Sequence, residues 1–162
     1  MAKAGRAEPA LPKKSEVAGW RAALVSQAEA QKFLRQRGVS EACQQEFEFG
    51  FDGGKVVLPI YGEPVDGQHD LLAVKSFEVG HEEAGKIPGG NKRHVFPWPM
   101  LDSWDLDNPV VIVSDEVSVA ALTSIGQNAI CTTAGTSKQS FEDLPVARLK
   151  PAGHFMAGAN LF

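Results

Sequence analysis

Cysteine is scarce in this chain of 162 residues. Cys43 and Cys131 are the only two, which excludes a disulfide scaffold and a four-cysteine zinc site. Long apolar runs are also missing, since none approaches the roughly 20 residues that span a bilayer. The start of the chain lacks the apolar segment of a signal peptide. These absences predict a protein of the cytoplasm, where thiols stay reduced, with no place for it in a membrane.

Positive charge is concentrated near one end. The net charge is −4 with neutral histidines, which argues against a polycation that coats nucleic acid. Residues 1–37 nevertheless carry eight basic and three acidic side chains, whereas 102–118 carry five acidic side chains and no basic one. This asymmetry indicates a basic arm or helix beside an acidic body. A basic arm can hold phosphates, although a solvated tail followed by a solvated helix face explains the same charges.

The first part of the chain reads as a tail followed by helices. Residues 1–14 are rich in Ala, Lys and Pro, which predicts a disordered basic tail. The segment 15–46 is helical: apolar positions recur with a helical period over 16–37, with a possible break near Ser26. A second, short helix is predicted over 41–46.

The middle of the chain changes to the pattern of strands. Phenylalanines alternate with other residues over 47–51, which predicts a strand, and the following Asp-Gly-Gly predicts a hairpin turn. Pro59 indicates a sheet edge or a bulge. Two further strands are predicted over 55–61 and 71–79, so that this part forms a small antiparallel sheet. The loop 80–93 is rich in glycine and of a length that is often functional.

The last third is typical of an α/β protein. A β-branched run over 109–113, a helical pattern over 116–125 and a short apolar run over 128–132 predict a βαβ unit. The fold class is therefore α/β (α+β mixed), with an N-terminal helix, a small antiparallel sheet and then the βαβ unit. The core of the domain should extend over 47–149, with 150–162 as a C-terminal tail.

Five segments, taken in order, resemble the primase core of phage and plasmid primase–helicases and of bacterial primases. They are FLRQRGVSEACQQEFEFGF, GGKVVLPIYGEP, LLAVKSFEV, GGNKRHVFPW and NPVVIVSDEVSVAALTSIGQNAICTTAGTS. The resemblance covers roughly residues 30 to 140. It implies that the βαβ unit belongs to a TOPRIM fold, the catalytic module that primases share with topoisomerases. It also implies the synthesis of RNA primers on single-stranded DNA with magnesium.

The resemblance points to four basic residues around the glycine-rich loop. Lys75, Lys86, Lys92 and Arg93 would contact the phosphates of template or nucleotide. Glycines in such a loop let backbone amides approach a phosphate closely. Three nearby glutamates almost cancel the positive charge, however, so an ordinary solvated loop is an equally good interpretation.

The acidic motifs depart from the family pattern. The family's metal-binding glutamate and aspartate fall at Ser114 and Ser118, and its later Asp-x-Asp motif would fall near 150–155, which has no carboxylate. Asp115 and Glu116 are the remaining candidate ligands for Mg²⁺, and Glu116 is the one weak candidate for a catalytic residue. The explanation that we prefer is that both are acidic residues that favour a helix N-terminus, with Ser114 as the N-cap.

Three explanations fit this departure: a degenerate relative of the primases, a fragment that stops before the acidic motif, or a different α/β protein with similar strands. The best prediction is a primase-like, nucleic-acid-associated domain of a DNA replication protein of phage or plasmid type. Whether it is an enzyme stays open. Its partner would be single-stranded DNA or a replication protein. The alternative is a non-catalytic protein-interaction or regulatory module with an α/β fold. A third option is an enzyme that acts on a small phosphorylated substrate, with the turn 135–137 holding the phosphate.

Overall fold

Three helices occupy the first part of the structure. It is a computed structural model that describes residues 10–81, 85–88, 93–134, 137–149 and 155–157. The helices are α1 (Lys14–Val25), α2 (Ala28–Gln36) and α3 (Glu41–Glu46). The predicted break near Ser26 separates α1 from α2, because the Ser26 hydroxyl and amide both turn back to the carbonyl of Ala23. The first helix begins at Lys14, at the end of the predicted tail, of which residues 1–9 lie outside the described part.

The first sheet is antiparallel and contains three strands in the order β1-β2-β3. They are β1 (Gly50–Asp52), β2 (Lys55–Tyr61) and β3 (Leu71–Glu78). The turn between β1 and β2 is formed by Gly53 and Gly54, with φ of 53° and 84°. Both values are left-handed, as a two-residue hairpin of type I′ requires.

The strand predicted over 47–51 is wrong for its first half. Phe47 is the C-cap of α3, and Glu48 has a left-handed φ of 59°. The amide of Phe49 then donates to the carbonyl of Gln44, which closes the end of the helix. Phe47 and Phe49 are buried because they pack around this helix end, whereas Phe51 is partly buried and lies in β1, which begins only at Gly50.

The second sheet contains four strands, which are β4 (Val95–Phe96), β5 (Val110–Ile112), β6 (Asn128–Thr132) and β7 (Phe155–Ala157). Their order in the sheet is β4-β6-β5-β7. Strands β5, β6 and β7 are mutually parallel along their pairings, whereas β4 is antiparallel to β6. The helix α4 (Glu116–Ser124) connects β5 to β6, so the predicted βαβ unit is confirmed. The other elements of this half are a 3₁₀ turn (Trp98–Ser103), α5 (Lys138–Glu142) and α6 (Val146–Leu149).

Strand β7 lies inside the segment that the sequence predicted as a C-terminal tail. It is only three residues long and pairs with β5, with Val110 opposite Phe155. So short an apolar run carries no period that would distinguish it from a loop.

One hydrophobic core joins the two sheets. Val56, Leu58 and Ile60 of β2 are completely buried, and they belong to the same cluster as Val119 of α4 and Ala129 of β6. Because strand side chains alternate between faces, every second residue of β2 and β3 points at this core. Within the described residues no helix is long and apolar enough to cross a membrane.

Candidate functional site

The candidate site lies where the parallel strands of the second sheet end. The carboxyl end of β5 leads through Ser114 into α4, and the carboxyl end of β6 leads to Thr133. Parallel strands bring their carboxyl ends to one edge of a sheet, and open α/β sheets bind ligands there. We call the segment Ser114–Ser118, together with the buried side chain of Lys75 that pairs with it, the acidic edge.

Asp115 is the N-cap of α4. Its carboxylate accepts hydrogen bonds from the Ser118 amide at 2.9 Å and the Ser118 hydroxyl at 2.8 Å. The Ser114 hydroxyl donates to the same carboxylate at 3.2 Å. The N-cap is thus Asp115 and not Ser114, and the Asp115 carboxylate is engaged by its own helix terminus.

Glu116 is the first residue of α4 and is completely buried. The cause is the helix itself, because every residue from Glu116 to Leu122 is buried. A helix that is covered on all sides leaves no solvated face on which an acidic side chain could lie. The carboxylate must therefore find its partner inside the protein.

That partner is Lys75. Ala73, Lys75 and Phe77 alternate on the face of β3 that points into the core, and only 6% of the Lys75 side chain is exposed. Its ammonium lies 2.6 Å from Oε2 of Glu116 and 5.8 Å from the centre of the Phe77 ring. The pair joins β3 of the first sheet to the start of α4. A buried pair of this kind leaves a costly unpaired charge when one partner is lost.

Burial dominates the electrostatics of the acidic edge. It raises the pKa of Glu116, and the ammonium of Lys75 offsets part of that rise. The second oxygen of the carboxylate, Oε1, is buried with no hydrogen-bond partner within the described ranges. Burial also raises the pKa of the Cys131 thiol, and the negative charge of Glu116 raises it further. Cys131 is a free, buried cysteine that packs in the core on β6.

The donor set at this edge does not fit Mg²⁺ in the arrangement described. Magnesium needs near-octahedral oxygen ligation and gives up its water reluctantly. Here Asp115 caps a helix, Glu116 is paired with Lys75, and the described residues contain no group of three His, Cys, Asp or Glu that could hold a metal. The assignment of Asp115 and Glu116 to a metal, and of Glu116 to catalysis, stays a prediction from the sequence.

The four predicted phosphate contacts do not share one environment. Lys75 is buried, whereas Lys86 is exposed, and the backbone of Lys86 forms a bridge to Ser76 with hydrogen bonds of 2.8 and 2.9 Å. The guanidinium of Arg93 pairs with Asp143 at 2.8 Å and stays partly exposed. Lys92 lies outside the described residues. The role of all four in binding phosphate remains a prediction.

Sequence reasoning missed the Lys75–Glu116 pair, although the sequence contained a signal for it. Lys75 interrupts the inward-facing positions of a predicted strand, so a buried partner of opposite charge could have been sought. It also missed a groove of about 740 Å³ on the opposite face of the first sheet, lined in part by Leu11, Trp20 and Leu72. No motif in the sequence points to that groove. The turn residues Gly135 and Thr136 lie outside the described part of the chain.

No protein-family model matches the sequence, and no curated protein matches it significantly. Solved structures do match. The zinc-binding and RNA polymerase domains of the Aquifex aeolicus primase align with a TM-score of 0.61 at 12% identity, over 76% of this chain and 41% of that one. A DnaG primase catalytic domain bound to single-stranded DNA aligns with a TM-score of 0.59 at 14% identity, over 79% and 57%.

The Escherichia coli primase catalytic core aligns with a TM-score of 0.57 at 14% identity, again over 79% of this chain and 57% of that one. The chain therefore spans between about two fifths and three fifths of the structures that it resembles. At identities this low, the structural similarity establishes the fold alone. The described chain has the mixed α/β fold of part of a bacterial primase catalytic core.

Proposed function

We propose that this chain is a primase-like, nucleic-acid-associated domain of a DNA replication protein of phage or plasmid type, acting in the cytoplasm. The observation that carries the proposal is the shared fold, which extends over 72–79% of the chain in three DnaG or E. coli primase cores. One of those structures holds single-stranded DNA, which supports the same class of ligand here.

The surface supports phosphate binding at two places. Lys86 is exposed in the loop that bridges to β3, and the partly exposed Arg93 lies just before β4. Phosphate contacts by such residues give affinity without sequence preference, and this affinity falls as salt is raised. The proposed ligand is therefore single-stranded DNA of any sequence.

The acidic edge supports the proposal that the domain lacks the chemistry of primer synthesis. Ser114 and Ser118 stand where the primase resemblance expects carboxylates, and Asp115 is held by both of them. Phosphoryl transfer in two-metal enzymes relies on metal ions to stabilise the attacking and leaving oxygens. With the carboxylates replaced or engaged, we propose a domain that binds nucleic acid and does not extend a primer by itself.

Paired charge variants test the DNA-binding proposal. Lys86→Gln and Arg93→Gln each remove one positive charge near the proposed interface, so both should weaken binding of a fluorescent single-stranded DNA and flatten its dependence on salt. Lys32→Gln is the matched control, because Lys32 is also exposed but lies on α2. Equal binding by wild type and all three variants would exclude the proposed interface.

A protein-interaction module is the second candidate, and the groove on the first sheet favours it. Leu11 and Leu72 line this groove and are 52% and 40% exposed. Exposed apolar surface of this kind is typical of binding grooves. The two candidates are separated by DNA binding at low salt, which a pure protein-interaction module would lack.

A further inference from the structure

We infer that the ammonium of Lys75 takes the place of a divalent metal at the acidic edge, so that this edge neither binds nor needs Mg²⁺. The inference rests on the proposed function only for the idea that related primases bind a metal at this edge. The geometry on which it stands concerns Lys75, Glu116 and Asp115 alone.

The first step is the charge of Glu116. Lys75 already supplies a positive charge at 2.6 Å from Oε2, inside a site from which solvent is excluded. A metal at the same carboxylate would be repelled at close range by an ammonium that the low local dielectric screens weakly. The residue that would attract the metal is already neutralised by the chain.

The second step is access. Glu116 has no exposed surface, and only 6% of the Lys75 side chain reaches solvent. Mg²⁺ normally keeps several of its waters when it binds a protein. A hydrated ion would have to displace the packed residues of α4 and β3 before it met the carboxylate. In the part of the chain that the structure describes, Oε1 of Glu116 is buried without a hydrogen-bond partner, but a single oxygen cannot replace the carboxylates of a metal site.

The third step is the state of Asp115. Its carboxylate accepts from one amide and two hydroxyls, and one of these bonds caps α4. A metal would have to break the cap in order to use these oxygens. Ser114 and Ser118, which remain as possible oxygen donors, carry no charge.

Manganese titration of the wild-type chain tests the inference directly, because Mn²⁺ broadens the NMR signals of nearby amides. We expect the amide signals of Ser114 to Ser118 to broaden no more than those of α2 at millimolar Mn²⁺. Saturable broadening centred on Ser114 to Ser118 would overturn the inference. This experiment uses no variant, so it does not depend on the folding of one.

Thermal unfolding provides a second readout with a matched variant. A ligand that binds only the folded state raises the melting temperature. We expect the wild type and Glu116→Gln to show the same response to Mg²⁺ at matched ionic strength. A magnesium-specific rise in the wild type that Glu116→Gln abolishes would overturn the inference. Neither experiment contains DNA, so a failure of the proposed function would not be mistaken for a failure of this inference.

Discussion

Lys75 shows how one residue can change the interpretation of a site. The resemblance to primases made it a candidate for phosphate binding, and its charge agreed with that role. The structure places it on the inward face of β3, in contact with a buried carboxylate. The alternation of β3 determines this outcome, because Lys75 shares its face with Ala73 and Phe77, both of which are buried.

Loss of one partner of this pair should be costly. We expect Lys75→Met to lower the free energy of unfolding by about 3 to 5 kcal/mol, since it leaves a buried carboxylate unpaired. The double variant Lys75→Met/Glu116→Gln should recover much of this loss. Urea unfolding measures both changes. Lys55→Met is the control, because its pair with Glu78 is about half exposed and should contribute less than about 1 kcal/mol.

If the double variant were as unstable as the sum of the two single variants, Lys75 and Glu116 would not be coupled. If Lys55→Met cost as much as Lys75→Met, burial would not be the cause of the effect.

The raised pKa of Glu116 predicts a pH dependence of known sign. Burial moves the pKa above its ordinary value of 4.5, so the folded chain binds this proton more tightly than the unfolded chain does. Its contribution to stability is full below pH 4.5 and is lost as pH rises through the folded-state pKa. The free energy of unfolding of the wild type minus that of Glu116→Gln should therefore fall as pH rises. Urea unfolding at several pH values measures this difference. A difference that rises with pH would contradict a raised pKa of Glu116 in the folded chain.

At the scale of elements, short-range signals predicted most of the chain. Ser40 caps the predicted helix 41–46, and the strands 55–61 and 128–132 begin and end where the pattern indicates. The failures occurred where tertiary packing decides. Phe47 and Phe49 alternate like strand residues, yet they surround the end of α3. Pro59 indicated an edge or a bulge, and the structure has a bulge next to it at Ile60 and Tyr61.

Two substitutions of Asp115 separate its capping hydrogen bond from its charge. Asp115→Ala should lower the free energy of unfolding by about 1 kcal/mol, because it leaves helix amides without a partner. Asp115→Asn keeps an oxygen that can accept from the Ser118 amide, so it should cost much less. Thermal or urea unfolding compares the two. Equal losses would indicate that the charge of Asp115, and not its capping bond, matters.

The packing of α1 on β1 requires a glycine at position 50. A Cβ on Gly50 would lie 2.6 Å from Cβ of Trp20, which is closer than real contacts allow. Gly50→Ala should therefore destabilise the chain by about 1 to 3 kcal/mol. Gly19→Ala is the control, since Gly19 is an exposed position of α1 with open space around it, and it should stabilise by about 0.5 to 1 kcal/mol. A stabilising Gly50→Ala would mean that α1 does not pack as described.

At the scale of the whole molecule, the order of elements carried more information than any motif. The sequence predicted the mixed α/β class and the βαβ unit because both depend on local periodicity. It could not predict how the first sheet packs on the βαβ unit, because that depends on contacts between residues far apart in the chain, such as Lys75 of β3 and Glu116 of α4. The acidic motifs could not identify the function either, since the primase resemblance predicts carboxylates at positions 114 and 118, where the sequence has serines.

Binding of fluorescent single-stranded DNA to the wild-type chain decides between the two candidate functions. We would measure it at two salt concentrations, each with EDTA or with Mg²⁺ at matched ionic strength. We expect binding at low salt that weakens steeply at higher salt, as counterion release requires. We also expect the same affinity with and without Mg²⁺. Absence of binding at low salt would contradict the nucleic-acid role and leave the protein-interaction module as the better explanation.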